Sequence, residues 1–170
     1  MKVTPWRNVK TWQCYGCGDI CCSSPIVPLT LDEWLKITGK FGPEYAEFNI
    51  SGFYLKRGPN GCIFSLRVGD KYLCLIQDIK PKACKLWPFK IYRKPLYGFA
   101  NDALFTYGGE NFYVYLDTKC KGITYGKPSE ELTKKIIPEF IEIMLDKREE
   151  QVYSTGRFPI KAKTFGVIYF

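Results

Sequence analysis

The pattern of apolar and polar positions predicts short strands through the middle of the chain. Residues 50–57 (ISGFYLKR) have the alternation and aromatic content of a strand. The apolar runs 62–68 and 71–76 flank Gly69-Asp70, a pair typical of a hairpin turn. Further strands are predicted at 88–93, 97–107 and 111–117 and in the C-terminal TFGVIYF.

Two segments have helical patterns. Thr30-Leu31-Asp32-Glu33 has the spacing of a capping box and predicts a short helix that ends near Gly39. A long C-terminal helix is predicted over 129–153, because its apolar residues fall on one face: Leu132, Ile136, Ile137, Phe140, Ile143 and Met144. Pro138 should kink or split that helix. We therefore expect a single small α+β domain over 1–170, with short strands, a cysteine-rich metal site and a long C-terminal helix.

Composition limits the class of protein. A chain of 170 residues with 46% hydrophobic residues is typical of one globular domain. The first residues contain no apolar signal-peptide core, and no run approaches the length of a membrane span. The expectation is a cytoplasmic protein with no membrane association. The scarcity of Gln and Met is typical of thermophilic proteins.

Cysteine is the residue type with the clearest chemical meaning. Histidine is absent, which excludes zinc sites that need it, Cys–His nucleophile pairs and Ser–His–Asp triads. A reducing cytosol disfavours disulfides, although cytosolic hyperthermophile proteins are an exception that keeps them as an alternative. The eight candidate metal ligands are Cys14, Cys17, Cys21, Cys22, Cys62, Cys74, Cys84 and Cys120.

The spacing of these cysteines favours a thiolate metal centre. Cys14 and Cys17 have the C-x-x-C spacing of two ligands to one ion. Adjacent Cys21 and Cys22 project in different directions in extended backbone, which suggests two four-cysteine centres with one of the pair in each. Structural zinc sites usually have two such closely spaced cysteine pairs, whereas this chain has one and its last four cysteines are isolated. One or two iron–sulfur clusters of the 4Fe-4S type are therefore favoured. Zinc remains open, since an all-thiolate set suits both metals.

Residues 80–94 are basic and partly aromatic. They carry six lysines and arginines and no acid. The net charge of the whole chain, +8 with neutral thiols, falls to about half when eight thiolates surround two divalent ions. Three interpretations are a solvated surface, compensation of the cluster's negative charge around Cys84, and a nucleic-acid surface with stacking aromatics. The candidate cofactor-contacting residues are Lys82, Lys85, Trp87 and Phe89. No catalytic acid or base is assigned.

The cysteine motifs resemble those of the YkgJ-like cysteine-cluster family of zinc- or iron-chelating domains. The block of four cysteines at 14–22 is followed by the singleton Cys62, the pair in "CLIQDIKPKACKLWPF" and the closing Cys120-Lys121-Gly122. The match spans 14 to about 122. It departs from the family pattern by one extra residue between Cys17 and Cys21, by Lys80-Pro81 for Arg-Pro, and by a Trp-Pro-Phe step for Phe-Pro-Phe.

The resemblance implies a metal site more than an activity. The family includes flagellin lysine methylases that use S-adenosylmethionine, but this chain has no G-x-G-x-G motif, and its C-x₂-C-x₃-C reverses the radical-SAM order. The main expectation is a structural or redox metal module within a protein complex. The alternatives are a cluster-dependent transferase using S-adenosylmethionine, and a basic factor associated with RNA or ribonucleoprotein.

Overall fold

A computed structural model describes residues 2–18, 26–58 and 61–153. The chain is a small domain of mixed helices and strands. Its described strands are β1 (Val3–Pro5), β2 (Val9–Trp12), β3 (Pro28–Leu29), β4 (Ala46–Asn49), β5 (Gly52–Leu55), β6 (Arg57–Gly58), β7 (Gly61–Cys62), β8 (Ser65–Val68), β9 (Lys71–Cys74), β10 (Phe89–Tyr92), β11 (Leu104–Tyr107), β12 (Glu110–Asp117) and β13 (Ile123–Tyr125). Its described α-helices are α1 (Leu31–Phe41), α2 (Lys82–Lys85), α3 (Ala100–Ala103) and α4 (Ile137–Met144).

The central strand of the largest sheet is β12. It pairs antiparallel with β1, β10 and β11, and the Phe89↔Leu116 and Phe105↔Phe112 pairs fix two of the registers. Alternating apolar residues and a buried C-terminal half make β12 the strand that the other three share. A separate two-stranded ribbon joins β2 to β13.

The larger core fills the space between this sheet and α4. Phe89 and Phe140 stack there with ring centroids 4.0 Å apart, and Trp12 meets both rings edge-on. The buried residues of the larger core are Trp6, Val9, Trp12, Phe89, Phe112, Val114, Leu116, Leu132, Ile136, Ile137, Phe140 and Ile141.

The smaller core lies under α1. The predicted capping box is confirmed, because the Thr30 hydroxyl accepts from the Glu33 N–H and the Glu33 carboxylate accepts from the Thr30 N–H. The helix runs to Phe41, two residues beyond the expected end, and packs on the sheet β3-β5-β4. The buried residues of the smaller core are Leu29, Ile37, Ala46, Leu55, Phe64 and Ile76.

The hairpin around Gly69-Asp70 is confirmed, with Val68 opposite Lys71 in the β8–β9 pair. The strand predicted over 97–107 is only partly correct. Its first half forms α3, because Ala-Asn-Asp-Ala has low strand propensity and the Tyr115 hydroxyl fixes the turn by donating to the Gly98 carbonyl at 2.7 Å. The TFGVIYF segment lies outside the described residues.

The long C-terminal helix predicted over 129–153 is wrong. Helical backbone continues without a break from Glu130 through a π-helical turn at Leu132–Ile136 into α4, and Pro138 follows directly after this wider turn. The helix ends at Met144, and Asp146 takes a left-handed φ of 58. The Lys147 N–H then donates to the Glu142 carbonyl at 2.9 Å, a Schellman-type ending.

Contacts made by the segment after α4 explain why the residues after Met144 are not helical although they favour a helix. The buried Glu139 carboxylate accepts from the backbone N–H groups of Val152 and Tyr153 at 2.9 and 2.8 Å. Asp146 pairs with Lys82 on α2 at 2.6 Å. These tertiary contacts outweigh the local helix propensity. None of the described helices is long and apolar enough to span a membrane.

Candidate functional site

Cys14 and Cys120 are brought together at the edge of the larger core. The β2–β13 ribbon causes this approach, because it continues into a bond from the Gln13 N–H to the Gly122 carbonyl at 3.0 Å. Cys17 follows Cys14 in the loop after β2.

The Cys120 sulfur accepts two N–H donors. The indole Nε1 of Trp12 lies 3.3 Å from it, and the backbone N–H of Gly122 also points to it. Burial raises the pKa of the Cys120 thiol above its ordinary value, and the two donors oppose that shift. N–H donors at a sulfur atom stabilise thiolate and are typical of cysteines that bind metals.

Two glycines near these cysteines are needed because neighbouring atoms leave no room for a side chain. A Cβ on Gly122 would lie 2.0 Å from the Gln13 carbonyl oxygen. Gly18 has a φ of +65, and a Cβ there would overlap the ring of Tyr72. The Tyr72 N–H donates to the Gly16 carbonyl at 2.7 Å, so the loop 14–18 is attached to β9 two residues from Cys74.

Cys62 and Cys74 belong to the other side of the molecule. Cys62 lies opposite Arg57 in the β6–β7 pair, and Cys74 lies opposite Ser65 in the β8–β9 pair. Both cysteines are half-buried and pack against the smaller core. The cysteines that are isolated in sequence are therefore divided between two cores, with Cys120 at the larger one.

Cys84 lines an apolar cleft of about 320 Å³ between α2 and β10. Trp87 and Phe89, two of the predicted cofactor-contacting residues, line the same cleft. Its other lining residues are Ile26, Val27, Pro28, Ala83, Leu86, Lys90, Ile91 and Tyr92.

The structure describes both flanks of the segment that carries Cys21 and Cys22. Gly18 packs against Tyr72 on the strand that ends at Cys74, and Ile26 lies in the cleft beside Cys84. Cys21 and Cys22 themselves lie outside the described residues. The segment therefore connects the neighbourhoods of two of the isolated cysteines.

The other two predicted cofactor-contacting residues lie on α2 outside the cleft lining. The Lys82 ammonium pairs with Asp146 at 2.6 Å, and the Lys85 ammonium donates to the Glu149 carbonyl at 3.0 Å. Arg93 likewise pairs with Glu110 at 2.6 Å. The basic stretch 80–94 is thus partly neutralised by acids that are distant in sequence.

Within 2–18, 26–58 and 61–153, no group of three or more cysteines, aspartates or glutamates is positioned to hold a metal ion. The chemistry of the sulfur atoms and of the N–H groups directed at Cys120 fits a metal bound by thiolates. Two of the eight candidate ligands, Cys21 and Cys22, lie outside the described residues. The sequence does not single out Trp12 as a donor to sulfur. The one indication in the sequence is that Trp12 stands two residues before Cys14, the first cysteine.

No family model, curated protein or solved structure matches this chain. The resemblance to the YkgJ-like family therefore rests on the cysteine motifs, and a function has to be argued from the residues and their geometry.

Proposed function

We propose that this protein is a cytoplasmic metal-binding module of the YkgJ-like type. Its cysteine thiolates would hold one or two iron–sulfur clusters of the 4Fe-4S type, or zinc, and it would serve a structural or redox role within a protein complex. The bound group would supply Lewis acidity or an electron-transfer site. The chain itself would contribute the sulfur ligands, the N–H donors that stabilise them and an apolar surrounding.

The observation that carries the proposal is the environment of Cys120. Trp12 lies 108 residues away along the chain, yet its indole N–H is directed at the Cys120 sulfur. A neutral thiol is a weak acceptor, whereas a thiolate is a strong one, so two donors on one buried sulfur suit the ionised form. Cys14 packs against the same core as Cys120, and a cation bound there would offset the repulsion between their thiolates.

The division of the cysteines between two cores supports two centres. Cys14 and Cys120 pack against the larger core, and Cys62 and Cys74 pack against the smaller one. In the proposal, Cys17 joins the first set and Cys84 the second, and one of the adjacent Cys21 and Cys22 completes each set of four.

The first experiment is anaerobic purification followed by visible absorption, metal analysis and acid-labile sulfide analysis. Iron with sulfide in equal amounts supports the cluster, and a colourless protein with one or two zinc ions per chain supports zinc. Neither metal, together with no titratable thiols in denaturant, would contradict metal binding and favour disulfides.

A matched pair of tryptophan variants tests the role of the N–H donor. Trp12→Phe removes the donor to sulfur, whereas Trp6→Phe removes a donor to the Leu104 carbonyl at 3.1 Å in the same core. We expect Trp12→Phe to alter the charge-transfer absorption or the reduction potential of the bound metal and Trp6→Phe to leave both unchanged. Equal effects of the two variants would reduce Trp12 to a packing role.

The number of centres is tested by cysteine variants from the two cores. Cys120→Ser and Cys74→Ser should each remove about half of the bound metal, and the double variant should remove nearly all of it. If either single variant removes all of the metal, the protein has one shared centre. The same measurement on Cys21→Ser and Cys22→Ser shows which centre each residue serves.

A second candidate function, a transferase using S-adenosylmethionine, is favoured by the cleft beside Cys84. Its volume of about 320 Å³ lies at the lower end for small-molecule sites, and its aromatic lining suits an adenine ring. Calorimetric titration of the metal-loaded protein with S-adenosylmethionine tests it. Binding that Trp87→Ala abolishes and Trp34→Ala preserves would support the transferase, and absence of binding would remove it.

A further inference from the structure

We propose that a second surface, remote in sequence from 80–94, binds single-stranded nucleic acid. It is defined by Lys2, Arg7, Lys10, Lys119 and Lys127, all exposed, and we call it the basic face. Residues 2–18 and 118–129, which contain these five cations, include no aspartate or glutamate. This inference is independent of the metal proposal.

Backbone pairing brings four of these cations together as two pairs, Lys2 with Lys119 and Lys10 with Lys127. The Thr118 N–H donates to the Lys2 carbonyl at 3.1 Å, which sets Lys119 beside the N-terminal end of β1. The Gly126 N–H donates to the Asn8 carbonyl at 3.0 Å. A Cβ on Gly126 would lie 3.6 Å from the Lys10 Cβ, so Lys10 and Lys127 are neighbours.

Acids on the neighbouring elements leave the positive charge of this face largely uncompensated. Asp117 is buried, and its carboxylate accepts from the Lys119 backbone N–H. Glu130 pairs with Lys134 at 3.2 Å. Asp102 on α3 is exposed, so that Asp102 and Asp117 are two carboxylates against five cations. By contrast, Lys82 and Arg93 in the stretch 80–94 both pair with carboxylates.

Exposed tyrosines distinguish this face from a merely solvated one. Tyr125 is 55% exposed at the end of β13, opposite Val9 and two residues before Lys127, and Tyr15 is 52% exposed in the loop that follows β2. Aromatic side chains set among cations provide stacking for bases and contacts for phosphates, which is how single strands are bound without sequence preference. An acidic protein would use the cations and would not need the exposed rings.

The test uses the full chain as purified and a fluorescent single-stranded RNA of about 12 nucleotides, with affinity measured by anisotropy. We expect log Kd to depend on log salt with a slope of about 3 in magnitude, corresponding to four phosphate contacts. Lys10→Glu with Lys127→Glu should weaken binding at least about tenfold. The matched control, Lys36→Glu with Lys94→Glu, alters two exposed lysines elsewhere, one of them in 80–94, and should change affinity less than about twofold.

Further variants separate nucleic acid from an acidic partner. Tyr125→Ala should weaken RNA binding about fivefold or more, and Tyr125→Phe should retain it, because stacking needs the ring and not the hydroxyl. Lys2→Glu changes the charge of an exposed side chain and keeps the backbone carbonyl that accepts from the Thr118 N–H. The proposal would be overturned by undetectable RNA binding or by equal losses of affinity in the two lysine pairs. It would also be overturned if a polyglutamate peptide of equal charge competed with RNA and this competition did not depend on Tyr125. Metal content should be the same in all these variants.

Discussion

The larger and smaller cores differ in how completely each is covered. The larger core lies between a sheet and α4, and in the described residues it has twelve buried members against six in the smaller one. The smaller core is covered by one helix on a narrow sheet. Large apolar side chains remain exposed beside it, including Phe48 at 70% and Ile50 at 105%.

Polar groups show the same difference. Trp34 Nε1 and Ser65 Oγ, both beside the smaller core, are buried without a hydrogen-bond partner among the described residues. Such groups cost free energy on folding. We therefore expect the larger core to contribute more to stability, and the smaller core to depend more on added constraints such as metal ligation by Cys62 and Cys74.

The largest expected effect comes from matched truncations in the two cores. Ile141 and Ile37 are both fully buried. Ile141→Ala should lower the free energy of unfolding by about 4 kcal/mol and Ile37→Ala by about 2 kcal/mol, because the less enclosed site can collapse around the deletion. Denaturant titration of both variants measures this difference. Equal losses would show that the two cores are equally well packed.

An intermediate effect is expected at the cap of α1. Thr30→Ala removes the hydroxyl that accepts from the Glu33 N–H, and we expect a loss of about 1 kcal/mol. Thr30→Ser keeps the acceptor and should be nearly neutral. Hydrogen exchange should show faster exchange in α1 and unchanged exchange in β12. Faster exchange in both would mean that the cores unfold as one unit.

The smallest effect concerns the ion pair that attaches α1 to the turn before Lys80. Lys40 lies 2.8 Å from Asp78, and their hydrogen bond lowers the pKa of Asp78 below 3.8. A lowered carboxyl pKa gives stability that is present above pH 3.8 and is lost as the pH falls through the folded-state value. Both side chains are half-exposed, so the contribution is about 0.5 kcal/mol or less.

Asp78→Asn tests this contribution by comparison with the unmodified chain. The difference in unfolding free energy should be measurable near pH 6, vanish near pH 2 and shrink in high salt. A difference that persists at low pH would assign the effect to packing or to backbone hydrogen bonds.

The sequence was most informative where a local pattern has a local cause. The Thr30–Glu33 spacing specifies a cap, and Gly69-Asp70 specifies a turn. It was least informative where distant residues compete. The end of α4 at Met144 is accompanied by the Glu139 carboxylate accepting from the Val152 and Tyr153 N–H groups, and the helical periodicity of 129–153 does not indicate that contact.

The candidate site divides in the same way. The C-x-x-C spacing and the Cys-x-Gly step could be read directly, and the glycine of that step proves to be needed for close approach to Gln13. The Trp12 donor to Cys120 could not be read, because strand pairing between β2 and β13 creates it. The charge of 80–94 was overestimated for a related reason, since Asp146 and Glu110 come from other elements.

The most direct test of the central claim is X-ray absorption at the metal edge of the anaerobically purified protein. The account predicts a first coordination shell of sulfur alone, at about 2.3 Å, because the chain has eight cysteines and no histidine. Cys120→Ser should lower the sulfur count. A first shell of nitrogen or oxygen, or a protein that contains no metal, would contradict it.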